Sequence, residues 1–390
     1  MEKIAIVGTG QVPAERETER TLQSQAVDTA QQAIDDAGIS KEDIDVVFVA
    51  NCFADPRFNT DLAFSWLVEE LGLSGNVKLS MLTHSGGTSG ENMLKLAEGL
   101  INSGVAETIL CVHSEKFSLM TPSEKVAAFA HFGISDAWEG FTGIVYNTLP
   151  SLFAQRYMYE TGTTPEQLAS VCVSCRKWAQ LNPNAAFRKP LTVKDVLDSR
   201  VITTPYHMYE CNVLVDSSSS FIVTSASKAK KLVKNAAYVL GHSSIVTHYS
   251  LAQGGDITRF GYKKAGQEAF RKAGVRLEDI DLANIRSCYP AEVLIVLEEL
   301  GFCERGKAGA FVESGATAPG GSLPVATDGG ALSRGHTGSG VGIDMIVEAA
   351  VQLMGEAGER QLKDCKFAVV TGLGGAYMDS SVLIFGKEIP

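Results

Sequence analysis

The chain has 390 residues, 45% of them hydrophobic and 20% charged, with a formal net charge of −11. This balance supports a large buried core and excludes a disordered or fibrous protein, while the acidic excess argues against nonspecific nucleic-acid binding, which needs a basic face. No stretch approaches the roughly 20 uncharged apolar residues of a membrane-spanning helix.

In chain order, Met1-Glu2-Lys3 runs directly into the strand-like Ile4-Ala5-Ile6-Val7, which leaves no room for a signal peptide and predicts a cytoplasmic protein. The eight cysteines lie scattered through mixed segments, so reduced thiols are expected rather than a disulfide framework. Residues Ala30 to Phe53 then recur at an offset of 236 as Gly266 to Tyr289, with nine of 24 positions identical, among them an Ala-Gly pair, Glu-Asp-Ile-Asp and a Cys. Each copy shows a helical apolar period ending at Gly38 or Gly274, then a turn and a short apolar run, which reads as helix followed by strand. Apolar runs ending in Gly, Ile4 to Gly8 and Ala237 to Gly241, precede both copies. Strand, helix and strand in this order imply parallel βαβ units and a duplicated α/β chain.

The correspondence continues. A Gly-rich loop and amphipathic helix at 84–104 match Gly335 to Gly358, and strands Ile109 to Val112 and Phe367 to Val370 match at offset 258. Asp216-Ser-Ser-Ser-Ser matches Asp379-Ser-Ser at offset 163, so about 95 extra residues (258 − 163) lie in the first half, around 118–212. The expected domains are an N-terminal half, 1–235, with this inserted loop domain, and a C-terminal half, 236–390.

In such a fold the loops after the strands gather at one sheet edge, so Cys52-Phe53, His84 to Gly90, Cys288-Tyr289 and Gly335 to Gly340 are expected to converge. The loop Gly86-Gly87-Thr88-Ser89-Gly90 opens a helix, and backbone N–H groups at that positive end suit an anion or a developing oxyanion. His336, set among glycines after Gly335, offers an imidazole N–H to polarise a carbonyl. Cys288 and Tyr289 close a strand with a thiol and a phenol able to carry protons. Cys172-Val-Ser-Cys175 has zinc-knuckle spacing without a second ligand pair, so no metal site is expected. Gly8-Thr-Gly10 lacks the third glycine of a dinucleotide fingerprint.

Over nearly its whole length the chain resembles the thiolase superfamily, in its sterol-carrier and lipid-transfer-type branch. The resemblance rests on Gly301-Phe-Cys-Glu-Arg-Gly306, Gly320-Gly-Ser-Leu-Pro-Val-Ala-Thr-Asp-Gly-Gly330 and Gly335-His336. It implies two αβαβα halves in five layers, dimerisation through the N-terminal half, and a CoA thioester as substrate with no covalently bound cofactor. The family's Gly-His-Pro motif matches Gly335-His336, with Thr337 in place of proline, and its His-Asp-Cys-Phe motif reads Arg286-Ser287-Cys288-Tyr289. The family's nucleophilic cysteine falls at Gly87, which cannot form an acyl-enzyme.

The Gly-Gly-Thr-Ser-Gly loop resembles that of acyl-CoA retro-aldolases working with a small zinc-ribbon and OB-fold partner. The resemblance therefore implies cleavage of a 3-hydroxyacyl-CoA to an aldehyde or ketone and a shortened thioester, as in steroid side-chain degradation. Catalysis is expected from His336, Cys288, Tyr289 and the weaker candidate Tyr249, with Gly86 to Gly90, Gly335, Gly374 and Gly375 at the substrate. A thiolase with a displaced nucleophile, or a noncatalytic acyl-CoA or lipid-binding subunit, are the alternatives.

Overall fold

The computed structural model describes residues 1–50, 62–131, 134–135, 137–248, 250–375, 377 and 379–390. Strand β1 (Ile4–Gln11) is followed by helix Leu22–Ala37, whose cap Thr21 accepts the Ser24 amide at 3.0 Å. Gly38 ends the helix at φ 62°, and Gly274 ends the repeat helix Tyr262–Ala273 at φ 67°. Both conformations are left-handed, which a Cβ disfavours. The remaining strands are β2 (Val46–Ala50), β3 (Leu79–Leu82), β4 (Thr108–Glu115), β5 (Val201–Thr203), β6 (Tyr206–His207), β7 (Ser217–Ser225), β8 (Ala237–Val246), β9 (Leu282–Asn284), β10 (Phe367–Gly374) and β11 (Asp379–Gly386).

Nine of these strands form one mixed sheet in the order β3-β2-β4-β7-β1-β8-β11-β10-β9. The order is symmetric about the β1–β8 junction, where Ile4 pairs with Val239 and Ile6 with Ala237. On the outer side of β9, Val325 bridges Ala283 in parallel, at the place β3 holds in the first half. β2 is parallel to β3 and β4, and β9 to β10. β7 is antiparallel to both β4 and β1, and two reversals leave β1 running in the direction of β2. The expected parallel βαβ direction is therefore present, but β4 and β7 stand between the two strands. Local sequence gives strand polarity and does not show which later strand will fill the gap.

The layers follow from where each helix can bury its apolar side. Helix Leu22–Ala37 packs on β1, β7 and β4, and helix Tyr262–Ala273 on β8 and β11. Helix Ser89–Asn102 and helix Val341–Met354 pack against each other and touch strands of both halves, forming the middle layer. Val341–Met354 is buried on nearly every face, as a helix that is apolar over most of its surface must be. Its polar residues are satisfied internally: Glu348 pairs with Arg360 at 2.9 Å, and Gln352 donates to Glu348 at 3.0 Å.

The two glycines that close the apolar runs have a packing role. A Cβ on Gly8 would lie 2.3 Å from the Ala33 carbonyl, and one on Gly241 would lie 2.4 Å from the Ala269 carbonyl. Each glycine lets its strand meet its outer helix backbone to backbone, the same contact in both copies.

The segment 118–212 contains helices Pro122–His131, Thr148–Thr161, Pro165–Gln180 and Val193–Leu197, with the β5–β6 hairpin. Cys172 and Cys175 are buried along Pro165–Gln180. Among the described residues all seven cysteines are unpaired, and no group of three or more His, Cys, Asp or Glu gathers as for a metal ion. No helix among them is long and apolar enough to cross a membrane.

Candidate active site

Beyond β9 the chain runs through Arg286-Ser287-Cys288 to Tyr289, which caps helix Pro290–Leu300. The Glu292 carboxylate reaches back and accepts the Cys288 amide at 2.9 Å and the Tyr289 amide at 3.2 Å. A carboxylate on two amides at a helix start holds this corner rigidly. His336 is fixed from the other side: its amide donates to the Val213 carbonyl at 2.9 Å and its carbonyl accepts the Val215 amide at 3.1 Å. Both segments open onto a cleft of about 180 Å³, whose floor includes Arg286, Cys288, Tyr289 and His336. The segment 118–212 adds Lys125, Phe129, Tyr146 and Asn147 to its lining.

The electrostatics of His336 define what it does. Burial, reinforced by Arg286 and opposed by Asp344, pushes its pKa down to about 3, so the imidazole is neutral throughout the physiological range. Its Nδ1 accepts the Gly338 amide at 3.0 Å, which places the single ring proton on Nε2. His336 is thus a fixed N–H donor, and Phe129 packs edge-on to it with centroids 6.2 Å apart. The Cys288 thiol, driven up by burial to about 12, is also neutral and accepts from Arg286 Nε at 3.2 Å. The Tyr289 hydroxyl donates to Asn147 Oδ1 at 2.6 Å, and Tyr146, pushed up by burial to about 12, donates to the Gly375 carbonyl at 3.0 Å.

Gly87 is enclosed. A Cβ there would lie 2.6 Å from the Leu373 carbonyl oxygen and 3.2 Å from the Arg286 guanidinium carbon. The space a side chain at 87 would enter is taken by Arg286, which also donates to Leu373 O. The neighbouring hydroxyls are engaged in the loop: Ser89 Oγ donates to the Gly86 carbonyl at 2.7 Å and Thr88 Oγ1 to Asp379 at 2.7 Å. Gly90 packs 2.9 Å, measured from its would-be Cβ, from the Ile343 amide nitrogen, where the two middle helices meet.

Next to Gly87, Glu91 is fully buried and neither carboxylate oxygen has a hydrogen-bond partner among the described residues. Burial is the largest cause raising its pKa from 4.5 to about 7. The unfolded chain therefore ionises Glu91 at lower pH than the folded chain, and stability falls as pH rises from about 4.5 to 7. A shift of that size corresponds to about 3 kcal/mol at most, and the helix N-terminus reduces it. We expect Glu91→Gln to match the wild type most closely near pH 4 and to gain about 1–3 kcal/mol relative to it by pH 8. Urea unfolding at the two pH values measures this, and a difference independent of pH would refute it.

His336, Cys288 and Tyr289 thus share one cleft. None of Gly86 to Gly90 lines it; Gly87 reaches it through Arg286. Gly335, at φ 118°, turns the chain into His336 against Val215. Gly374 packs on the Ser85 carbonyl, and Gly375 holds Tyr146. Tyr249 and Cys52-Phe53 lie outside the described residues. Arg286 stands in sequence as a missing motif histidine, and Tyr146, Asn147 and Glu292 belong to no such motif. The Tyr289-x-x-Glu292 capping pattern was the one available signal.

The thiolase C-terminal domain-like family matches residues 243–387. Acetyl-CoA acetyltransferase of Methanothermobacter thermautotrophicus is 28% identical over 99% of this chain and 100% of its own length. The steroid side-chain-cleaving aldolase of Thermomonospora curvata is 28% identical over 98% of each. Among solved structures, the Ltp2-ChsH2(DUF35) aldolase superposes with a TM-score of 0.84 at 27% identity, covering 99% of this chain and 98% of that one. Over nearly its whole length the chain is similar to enzymes of both the acetyltransferase and the aldolase kind. In this fold the space a side chain at position 87 would need is taken by the Leu373 carbonyl and the Arg286 guanidinium.

Proposed function

We propose that this chain is an acyl-CoA carbon–carbon lyase that cleaves a 3-hydroxyacyl-CoA by retro-aldol reaction to an aldehyde or ketone and a shortened acyl-CoA. The observation that carries this reading is the closure of position 87 by the Leu373 carbonyl and the Arg286 guanidinium, beside a histidine kept as a neutral donor. Thiolytic chemistry needs a thiolate to hold the acyl group; retro-aldol cleavage does not. Loss of the 3-hydroxyl proton breaks the bond between C2 and C3 and places the electron pair on the thioester as an enolate. His336 Nε2–H stabilises its oxygen. A neutral Cys288 or Tyr289 takes the hydroxyl proton as it gives its own proton to the enolate carbon, so neither group is left charged and the net proton count is unchanged.

This reading takes 1–235 and 236–390 as the two halves, with 118–212 as the inserted wall of the substrate site. It also includes a cytoplasmic homodimer through the N-terminal half and a zinc-ribbon and OB-fold partner. The similar solved aldolase, which carries the names Ltp2 and ChsH2(DUF35) together, supports a partner. The likeness to an acetyltransferase keeps a displaced-nucleophile thiolase as the competing activity, but Ser85, Thr88 and Ser89 do not line the cleft.

Incubation with 3-hydroxyacyl-CoA thioesters, with and without the partner, is expected to release an aldehyde or ketone that a carbonyl reagent traps. Cleavage of a 3-ketoacyl-CoA that depends on free CoA, with an acyl group trapped on the protein, would overturn the proposal.

A further inference from the structure

Arg286 is a buried cation without a carboxylate in direct contact among the described residues. It is 5% exposed, and its recorded side-chain bonds go to neutral acceptors, the Cys288 sulfur and the Leu373 carbonyl. No ion pair involving it is found among the described residues. Arg334, 1% exposed, shows the usual solution: its guanidinium meets Asp344 at 2.7 Å. Two carboxyls act on Arg286 or feel its charge, Glu292 and Glu91; neither forms an ion pair with it, and Glu292 is committed to the Cys288 and Tyr289 amides. A desolvated cation without a paired anion is costly.

The cleft supplies a second reason to look for an anion. Its charged lining residues are Arg286 and the half-buried Lys125, and no Asp or Glu lines it, on a chain with a net charge of −11. Lys125 belongs to the segment 118–212, whereas Arg286 sits beside Cys288 in the space a side chain at position 87 would need, where the acyl group of a thioester would lie. A guanidinium fork matches a carboxylate with two parallel N–H···O bonds.

We propose that Arg286 determines substrate specificity by pairing with a carboxylate on the acyl part of the thioester, so that the preferred substrates are CoA monothioesters of dicarboxylic acids. The inference rests on the reading of the cleft as an acyl-CoA site and narrows it.

The test is calorimetric titration of the full chain with butyryl-CoA, succinyl-CoA and glutaryl-CoA, which share the same CoA phosphates and differ at the end of the acyl group. The wild type is expected to bind at least one carboxylate-bearing thioester about tenfold more tightly than butyryl-CoA, the size of one charge-assisted hydrogen bond. Arg286→Gln is expected to remove that preference, so that succinyl-CoA and glutaryl-CoA bind no more tightly than butyryl-CoA. Arg286→Lys, which keeps the charge and loses the fork, is expected to retain part of the preference, and it carries the test if the glutamine variant does not fold.

Equal affinity of the wild type for all three thioesters would overturn the proposal, as would a preference that survives in Arg286→Gln. Equal weakening of all three would assign the guanidinium to the phosphates or the thioester oxygen and would also overturn it. Unchanged binding of all three by Arg286→Gln with a fall in kcat alone would make the enolate the anion it serves. Failure of every thioester to bind the wild type would remove the acyl-CoA reading itself, and this inference with it.

Discussion

Replacing His336 by Ala is expected to lower kcat of the proposed cleavage by about 10²–10³, the effect of deleting one oxyanion donor. Nδ1 is committed to the Gly338 amide at 3.0 Å and the ring is neutral because burial and Arg286 hold its pKa at about 3. Nε2–H is therefore aimed into the cleft without changing protonation state at any working pH. Two consequences separate this role from a general base. The rate carries no inflection from His336 near the usual histidine pKa of about 6.5, and KM for the thioester changes less than kcat, because the bond strengthens as the enolate oxygen gains charge. Steady-state kinetics across pH 5.5–8.5 check both, and turnover unchanged in the alanine variant would eliminate the role.

Asp344→Asn is expected to destabilise the fold by about 3–5 kcal/mol, the range for stranding one partner of a buried ion pair. Asp344 lies in the middle-layer helix and is 2% exposed. Arg334 Nη1 reaches it at 2.7 Å, His113 Nε2 at 3.0 Å and Ser219 Oγ at 2.6 Å, and Thr337 Oγ1 also donates to it. Burial alone would raise its pKa, but the Arg334 charge and then His113 outweigh it and hold the carboxyl well below the usual range. An asparagine amide can accept on one oxygen only, so Arg334 keeps its charge and loses its nearer counter-ion, with Asp328 at 3.8 Å left to face it. Because the native pKa is depressed, this stability is present above the unfolded carboxylate pKa and is lost as pH falls through the native value. The gap between wild type and variant in urea unfolding therefore narrows in acid; equal stability at pH 7 would refute the assignment. Arg334 and Thr337 flank His336, so the same network steadies the donor.

Much of the fold was legible because a duplication repeats physical constraints as well as residues. Gly38 and Gly274 mark left-handed helix ends in both copies, and Gly8 and Gly241 mark the same close approach of strand to helix. A dinucleotide loop and a packing glycine look alike in sequence; the contact with the Ala33 carbonyl tells them apart. The convergence of His336 with Cys288 and Tyr289 on one cleft was legible where residue chemistry and position coincide. The site was not legible on the segment 118–212, because Tyr146 and Asn147 have no repeat equivalents and meet Gly375 and Tyr289 from more than 140 residues away in the chain.

By itself, the sequence determined the α/β plan, its repeated helix and strand signals and the absence of a thiol at position 87. These are properties of residue type and spacing, which helix periodicity, strand polarity and a missing Cβ express locally. Only the tertiary structure decided what replaced the thiol. Arg286 and Gly87 lie 199 residues apart in sequence and are brought together by the packing of the two halves, where the guanidinium enters the volume a side chain at 87 would need. The tertiary structure likewise decided that His336 is neutral, because desolvation and the nearby guanidinium set its pKa, and neither is encoded in its neighbours along the chain.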